Sequence, residues 1–292
     1  MSAHGNAVTL QAFDASAVPA LQAIYNPSWP SGTAPDLACD LVDHGRAGGQ
    51  QVAIAWRNGM AVGCVAWVTL GIASGGPCFG APLVASDGDV ADLLIARLIA
   101  EASSAGARQL RVSVWAGEGA KAQALQRAGF HYDMEWLHFG LPTAVAAPVD
   151  FAALGLHPID EADIDWPRFQ QLYAETFREV PNAVVGDAEH LKHDCAGASW
   201  EVSRILADAT GRYVAFADFE ADGTAALGVA ADWRGRGVAN ALYAHASSAL
   251  AARGVGMLRA RVASSNAASM RLHQKLGFNE IMPRGAVYGL TL

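Results

Sequence analysis

The chain repeats itself at a spacing of 148 residues, from position 129 to position 277, and this repeat constrains its fold more than any other feature. A Gly-Phe pair at Gly129–Phe130 returns at Gly277–Phe278, and the register between the two copies holds without a gap. Self-similarity at one fixed period indicates a tandem duplication. The matched positions combine turn glycines with apolar and polar residues: Gly106 with Gly254, Leu110 with Leu258, Arg111 with Arg259, Val114 with Val262, Gln126 with Gln274 and Tyr25 with Tyr173.

The segment between the two copies predicts a linker. It runs from Pro142 to Val149 and reads Pro-Thr-Ala-Val-Ala-Ala-Pro-Val. A chain of 292 residues is long enough for two domains of ordinary size. We therefore expect two α/β domains, residues 1–143 and 150–292, each a mixed, mostly antiparallel twisted sheet flanked by helices.

Apolar alternation and turn residues predict a three-stranded meander in the second half. Asp222-Gly223 is a favourable hairpin turn between its last two strands. The stretch from Val180 to Ala198 carries no clear periodicity and is predicted to be a loop. The predicted strands are Trp200–Ala207, Tyr213–Phe219, Thr224–Ala230 and Met257–Val262, and the predicted helices include Trp166–Thr176 and Ala267–Leu276.

A glycine-arginine turn follows the third strand of this meander. The turn reads Arg234, Gly235, Arg236, Gly237, Val238 and Ala239, and it opens a long alanine-rich helical pattern. The first N–H groups of a helix have no internal partner and the helix dipole is positive there, so such a turn favours a phosphate group. Glycines let the ligand approach the backbone, and the arginines add positive charge.

A second motif lies 29 residues further on, counted from Gly237 to Asn266. It begins Asn266-Ala267-Ala268-Ser269 and ends with His273 four residues before Gly277-Phe278. The first turn, Arg-x-x-Gly-x-Ala, resembles the pyrophosphate loop of the GCN5-related N-acetyltransferases. The second motif is similar to the Asn-x-x-Ala/Ser-x-x-x-Tyr-x-x-x-Gly-Phe signature of the same family.

This resemblance implies acetyl-CoA as co-substrate and acyl transfer to an amine. It implies that Arg234 to Ala239 bind the pyrophosphate and that the backbone of Leu227 and Val229 bonds the pantetheine arm. The N–H of Val229 would then polarise the thioester carbonyl. Asn266 is expected to bond the pantetheine arm as well, and Ser269 is counted with it among the cofactor-binding residues.

The position of the signature tyrosine, which protonates the leaving thiolate in the family, is occupied by His273. An imidazole titrates near neutrality and could donate this proton. The alternative is a histidine on the helix surface. The general base is open, because the strand before the loop carries no carboxylate. The candidates are Asp218, Glu220, Glu189, His190 and His193.

The first half departs from the second at the cofactor loop. In the repeat register, Ser86-Asp87-Gly88-Asp89 stands where the second half has Arg234-Gly235-Arg236-Gly237, so carboxylates replace arginines. Glu118 stands at the position of Asn266. A carboxylate repels phosphate and can instead cap a helix. We therefore expect residues 1–143 to keep the scaffold without the cofactor site.

The charge and composition bear on the partners, the location and the metal content of the protein. The net charge of −8 argues against nucleic acid as a partner. The N-terminus does not resemble a signal peptide and no apolar run is long enough to cross a membrane, so we expect a cytoplasmic protein. No cysteine spacing indicates a metal site, and free thiols are expected at Cys39, Cys64, Cys78 and Cys195.

The sequence therefore predicts an acyl-CoA-dependent N-acyltransferase whose second half is active on a primary amine of a small molecule. The layout is similar to that of mycothiol synthase, which also pairs two such domains. A monomer is expected, because the duplicated half can supply a pseudo-dimeric partner. The alternative is an acyl-CoA-binding or sensor protein without catalysis, which the absent base and the replaced tyrosine favour.

Overall fold

The computed structural model describes residues 7–29, 34–38, 41, 51–178, 180, 183 and 185–292. The described chain divides into two compact units. The first contains Met1–Trp136 together with Pro283–Leu292, and the second contains Leu137–Met282. The C-terminal strand thus belongs to the first unit, although the repeat places it in the second half of the sequence.

The first unit is a mixed sheet with helices on both faces. In strand order its sheet runs β1, β2, β3, β4, β5, β13 and the first part of β6, and β4 and β5 are parallel. One core cluster packs under α1 and another under α2 and α3. The elements are β1 (Thr9–Ala12), α1 (Val18–Tyr25), β2 (Gln51–Arg57), β3 (Met60–Val68), β4 (Cys78–Ala85), α2 (Gly88–Ser104), β5 (Gln109–Val114), α3 (Gly119–Arg127), β6 (His131–Pro142) and β13 (Gly285–Thr291).

The second unit repeats this plan. Its sheet runs from the last part of β6 through β11, β10, β9 and β8 to β7, with β12 paired to β6. Again the parallel pair, β10 and β11, lies inside an otherwise largely antiparallel sheet. The elements are β7 (Leu156–Ile159), α4 (Trp166–Phe177), α5 (Ala188–Asp194), β8 (Arg204–Asp208), β9 (Tyr213–Phe219), β10 (Thr224–Val229), α6 (Val238–Ala252), β11 (Met257–Ala263), α7 (Ala267–Leu276) and β12 (Asn279–Glu280).

Local chemistry explains where these elements begin and end. The side chains of Asp165 and Asp187 accept a backbone N–H at the starts of α4 and α5, as N-caps do. The predicted hairpin between β9 and β10 is confirmed. Gly223 adopts a left-handed φ of 87° and its N–H donates to Glu220 O, while Thr224 N–H donates to the Asp222 carboxylate at 2.8 Å.

Two secondary-structure predictions were wrong. The strand predicted from Trp200 begins at Arg204, because the N–H groups of Val202 and Ser203 donate to Ser199 O and hold residues 199–203 in a turn. The predicted loop from Val180 to Ala198 contains α5, which the sequence reading missed although Asp187 is a typical cap. Residues 181, 182 and 184 of that predicted loop lie outside the described residues.

Candidate active site

Strands β10 and β11 separate shortly after they meet. Their parallel pairing comprises Thr224 with Arg259 and Ala225 with Ala260, while β10 continues to pair with β9 as far as Val229. Strand β10 lies between β9 and β11, yet four consecutive residues of it, Thr224 to Leu227, are only half-buried. We call the space beside β10 where β11 diverges, along Ala226–Val229, the cofactor gap.

The backbone of Leu227 and Val229 points into the cofactor gap. Ala230 N–H donates to Val214 O and Thr224 O accepts from Glu220 N–H, so the even-numbered residues of this segment bond towards β9. Successive residues of a strand direct their N–H and C=O groups to opposite sides. The two positions that the sequence singles out for pantetheine binding therefore present their backbone groups on the open edge of β10.

The loop between β10 and α6 has the conformation of an anion site. After a short 3₁₀ turn, Gly235 and Gly237 adopt left-handed φ values of 77° and 85°, which other residues reach only with strain. Gly237 is the N-cap of α6 and has no side chain with which to cap it. The N–H groups of the first helical turn, including those of Val238 and Ala239, therefore lack helical partners and favour an anion.

The two loop arginines have different surroundings. Arg234 is exposed and its Nε donates to Val229 O at 3.1 Å, so it ties the loop to the end of β10. Arg236 is also exposed, and its guanidinium lies 4.7 Å from the ring centroid of Trp233. A cation over an aromatic face is stabilised without being neutralised. Arg236 thus keeps its positive charge beside the start of α6.

The second signature motif forms the start of α7. Asn266 is its N-cap, and the side-chain oxygen accepts the N–H of Ser269 at 3.1 Å. The side-chain oxygen of Asn266 is thus used within the helix, which leaves its amide NH₂ as the group suited to a ligand carbonyl. Both residues are half-buried.

His273 lies inside the second unit, with 4% of its surface exposed. Its Nδ1 lies 2.8 Å from Ser269 O, and its Nε2 lies 2.8 Å from the Tyr243 hydroxyl. A carbonyl can only accept, so Nδ1 carries the proton and Nε2 accepts from the Tyr243 O–H. The alternative of a histidine on the helix surface is therefore wrong.

The surroundings of His273 keep it neutral. Its ring stacks on Phe139 at 5.6 Å and meets Phe278 edge-on at 4.9 Å. Burial lowers the pKa of His273, and the hydrogen bond with Ser269 offsets part of that effect. Both ring nitrogens are engaged in this conformation, and proton donation by His273 stays a prediction. The sequence reading missed Tyr243, the partner that the histidine requires.

The five candidate bases differ in burial. Glu189, His193 and Glu220 are exposed, and His190 is paired through Nε2 with Asp194 at 3.0 Å. Asp218 lies in the middle of the sheet, on the face covered by α4 and α5. Burial raises the pKa of Asp218 to about 6.

The corresponding place in the first unit is closed by its own side chains. Ser86 alone separates β4 from Asp87, which caps α2 as expected by accepting Val90 N–H at 3.1 Å. Lys121 is buried; its Nζ donates to Leu83 O of β4 at 3.1 Å and forms an ion pair with Glu118. In the repeat register these two residues stand at the positions of Ser269 and Asn266. The sequence reading missed Lys121, although its repeat position was visible.

The remaining expectations concern metal ions, membranes and thiols. No cluster of three or more His, Cys, Asp or Glu side chains there could hold a metal ion. None of the helices in the described ranges combines the length and apolarity that crossing a membrane requires. Cys64, Cys78 and Cys195 are buried free thiols, and Cys39 lies outside the described residues.

The second unit thus combines diverging parallel strands, a glycine loop and a helix start without a side-chain cap. Residues 166–278 match the acetyltransferase (GNAT) family. This match and the solved structures of the same fold support an N-acetyltransferase. The family assignment covers the unit that contains the cofactor gap.

Solved structures with the same fold extend over almost the whole chain. A GCN5-related N-acetyltransferase from Sphaerobacter thermophilus is 14% identical, with 97% of this chain and 95% of that chain covered and a TM-score of 0.70. A tandem GNAT protein from the clavulanic acid biosynthesis pathway is 14% identical, with 98% of each chain covered and a TM-score of 0.65.

A third structure is the glucosamine N-acetyltransferase region of a fungal multi-domain GH3 β-N-acetylglucosaminidase. It is 15% identical, with 99% of this chain but 38% of that chain covered and a TM-score of 0.70. No curated protein matches the chain in sequence. At these identities the structures establish the mixed α/β fold that the sequence predicts, and nothing about the acceptor.

Proposed function

We propose that the second half of the chain transfers the acetyl group of acetyl-CoA to a primary amine of a small molecule. The observation that carries this proposal is the open edge of β10 directly before an uncapped helix start. The edge offers the backbone of Leu227 and Val229, and the helix start offers the N–H groups after Gly237. A ligand that joins an amide-bearing arm to a pyrophosphate fits both.

The chemistry that this arrangement supports is acyl transfer. The Val229 N–H lies where it can donate to the thioester carbonyl oxygen as negative charge develops on it, which is the main requirement of an oxyanion site. Arg236 and the first turn of α6 hold the pyrophosphate, and the Asn266 amide bonds the arm. Attack by the amine nitrogen then forms the new C–N bond, and the C–S bond breaks.

The first half is proposed to be a scaffold without a cofactor site. Its β4 runs almost directly into α2, so the glycine loop has no counterpart there. The ammonium group of Lys121 lies at the edge of β4 and donates a hydrogen bond to the Leu83 carbonyl, so a protein side chain already uses this edge. The proposed domains are residues 1–143 and 150–292 of the sequence. Their proposed layout is similar to that of mycothiol synthase. A cytoplasmic monomer is proposed as well, and light scattering tests the monomer.

The test is thiol release from acetyl-CoA in the presence of a panel of primary amines. The wild type is expected to release CoA with at least one amine and to bind acetyl-CoA in calorimetry. The double variant R234A/R236A should bind acetyl-CoA at least tenfold more weakly, because charge-assisted hydrogen bonds contribute about 1.5–3 kcal/mol each. The control is R253A, an exposed arginine at the other end of α6, which should bind normally.

Two outcomes separate this function from the alternative of a binding or sensor protein. Binding of acetyl-CoA without thiol release on any amine would support the sensor and refute the transferase. Equal binding by the double variant and the wild type would refute the cofactor site itself. The engagement of both nitrogens of His273 is the observation that keeps the sensor in consideration.

A further inference from the structure

Asp218 is a half-buried carboxylate on a strand that packs against α4. Asp218 of β9 is the cross-strand partner of Ala226 of β10. Cross-strand partners share a face of the sheet. Phe219, the next residue, contacts Tyr243 of α6 on the opposite face. Asp218 therefore points to the face away from α6, at the level where β10 begins to be free of β11.

The carboxylate of Asp218 is poorly satisfied. Its Oδ2 lies 3.5 Å from Cys195 Sγ, a weak donor. Its Oδ1 is buried and has no hydrogen-bond partner within normal geometry among the described residues. The Ser203 hydroxyl is near enough to lower the pKa of Asp218 slightly. A buried carboxylate oxygen without a donor costs free energy unless something else supplies the proton or the charge.

Strand β10 itself supplies no base. Strand β10, from Thr224 to Val229, contains no titratable side chain. Asp218 lies opposite Ala226, which is about 10 Å along the strand from Val229. This is a distance that an acceptor amine and one bridging water can span.

We propose that Asp218 is the general base of the transferase, taking a proton from the acceptor ammonium directly or through one water. This rests on the proposed function. The ammonium loses one proton to the carboxylate, the free amine nitrogen attacks the thioester carbon, and the C–S bond breaks. The second ammonium proton, acidic after attack, passes to the leaving thiolate. Asp218 then releases its proton to water, so the net products are the amide, CoA thiol and one proton.

The neighbours of Asp218 set the pH at which it works. Tyr173 faces it from α4, Asp194 from α5, Cys195 from the turn after α5, and Glu220 from the turn that follows β9. Burial is the largest influence and raises the pKa of Asp218, the acidic neighbours raise it further, and the Cys195 thiol lowers it by donating to the carboxylate. A base with a pKa of about 6 is ionised at neutral pH, and its pKa is close enough to neutral pH for efficient proton transfer.

The test compares D218N with the wild type on ethylamine and trifluoroethylamine. Ethylamine is an ammonium at neutral pH and needs a base, whereas trifluoroethylamine is already neutral. We expect D218N to lose about 100-fold or more in kcat/KM for ethylamine and little for trifluoroethylamine, with unchanged acetyl-CoA affinity. E201Q, which changes an exposed carboxylate of the second unit that is not among the neighbours of Asp218, is the control and should behave as the wild type.

A second variant keeps the inference testable if D218N folds poorly. C195A removes the thiol donor, so the acid limb of the kcat/KM profile should move to higher pH while the plateau stays. An equal loss of D218N on both amines, or no loss on ethylamine, overturns the base. An acid limb that C195A leaves in place also overturns it. A wild type that acetylates no amine overturns the proposed function instead, and that result is visible without any variant.

Discussion

Gly237 and Gly254 flank the same helix and allow strain to be separated from ligand binding. Both adopt left-handed φ values, 85° and 77°, and a Cβ added at either position meets no atom within 4 Å. Substitution by alanine therefore costs backbone strain alone, about 1–2 kcal/mol. The reduced freedom of the unfolded chain returns about 0.4–1 kcal/mol. Both G237A and G254A should thus lose roughly 1 kcal/mol in the free energy of unfolding.

Only G237A should also lose affinity for acetyl-CoA. Gly237 is the N-cap of α6 and adjoins the first N–H groups of this helix, where the pyrophosphate is proposed to lie. A methyl group there displaces a phosphate oxygen from at least one charge-assisted hydrogen bond, worth about 1.5–3 kcal/mol. This corresponds to a rise in Kd of roughly 10-fold to 150-fold. Gly254 follows the other end of the helix and touches no proposed ligand group.

Urea denaturation measures the first effect and calorimetry with acetyl-CoA measures the second. The reasoning predicts two variants of equal stability and unequal affinity. If G237A binds acetyl-CoA as tightly as G254A does, the helix start is not the pyrophosphate site. If G254A weakens binding as much as G237A, strain rather than contact explains the loss, and the loop assignment fails as well.

Two further predictions concern buried polar groups. The variant H273F keeps the aromatic packing and removes a neutral imidazole. Because the pKa of His273 in the folded state lies below the unfolded value of about 6.5, the wild type loses stability as the pH falls from that value towards the folded pKa. In urea denaturation H273F should therefore lose less stability than the wild type over that pH range. Parallel pH curves would contradict this. The variant K121M leaves Glu118 buried without its partner and should lower the free energy of unfolding by about 3–5 kcal/mol. The double variant K121M/E118Q should be much less destabilised, and equal stability of the two variants would refute the pairing.

The two halves differ in structure at the place of the proposed cofactor site. In the second unit, residues 230–236 separate β10 from the cap of α6, and the edge of β10 stays open. In the first unit Ser86 alone occupies the corresponding place, and Lys121 bonds the edge of β4. The carboxylates that the sequence places opposite the arginines are thus part of a larger change, in which the loop is absent and the gap is filled.

The histidine at the signature position shows the limit of reading motifs along a chain. Spacing placed His273 on α7 correctly, because helix periodicity and the Asn266 cap are local properties. Spacing could not show that the ring points into the core. The reason is Tyr243, 30 residues earlier on α6, whose hydroxyl supplies the donor that makes a buried imidazole tolerable.

Local sequence patterns were enough to predict the hairpin at Gly223, the helices α4 and α7 and the place of the glycine loop, because turn residues, caps and periodicity act over a few residues. Tertiary structure alone decided that the C-terminal strand joins the first unit, that β10 and β11 part after Ala225, and that Lys121 fills the first half. It also shows that Asp218 has a buried carboxylate oxygen without a hydrogen-bond donor, and the proposal of a general base rests on this. Strand pairing and burial join residues far apart in sequence, so no local pattern records them.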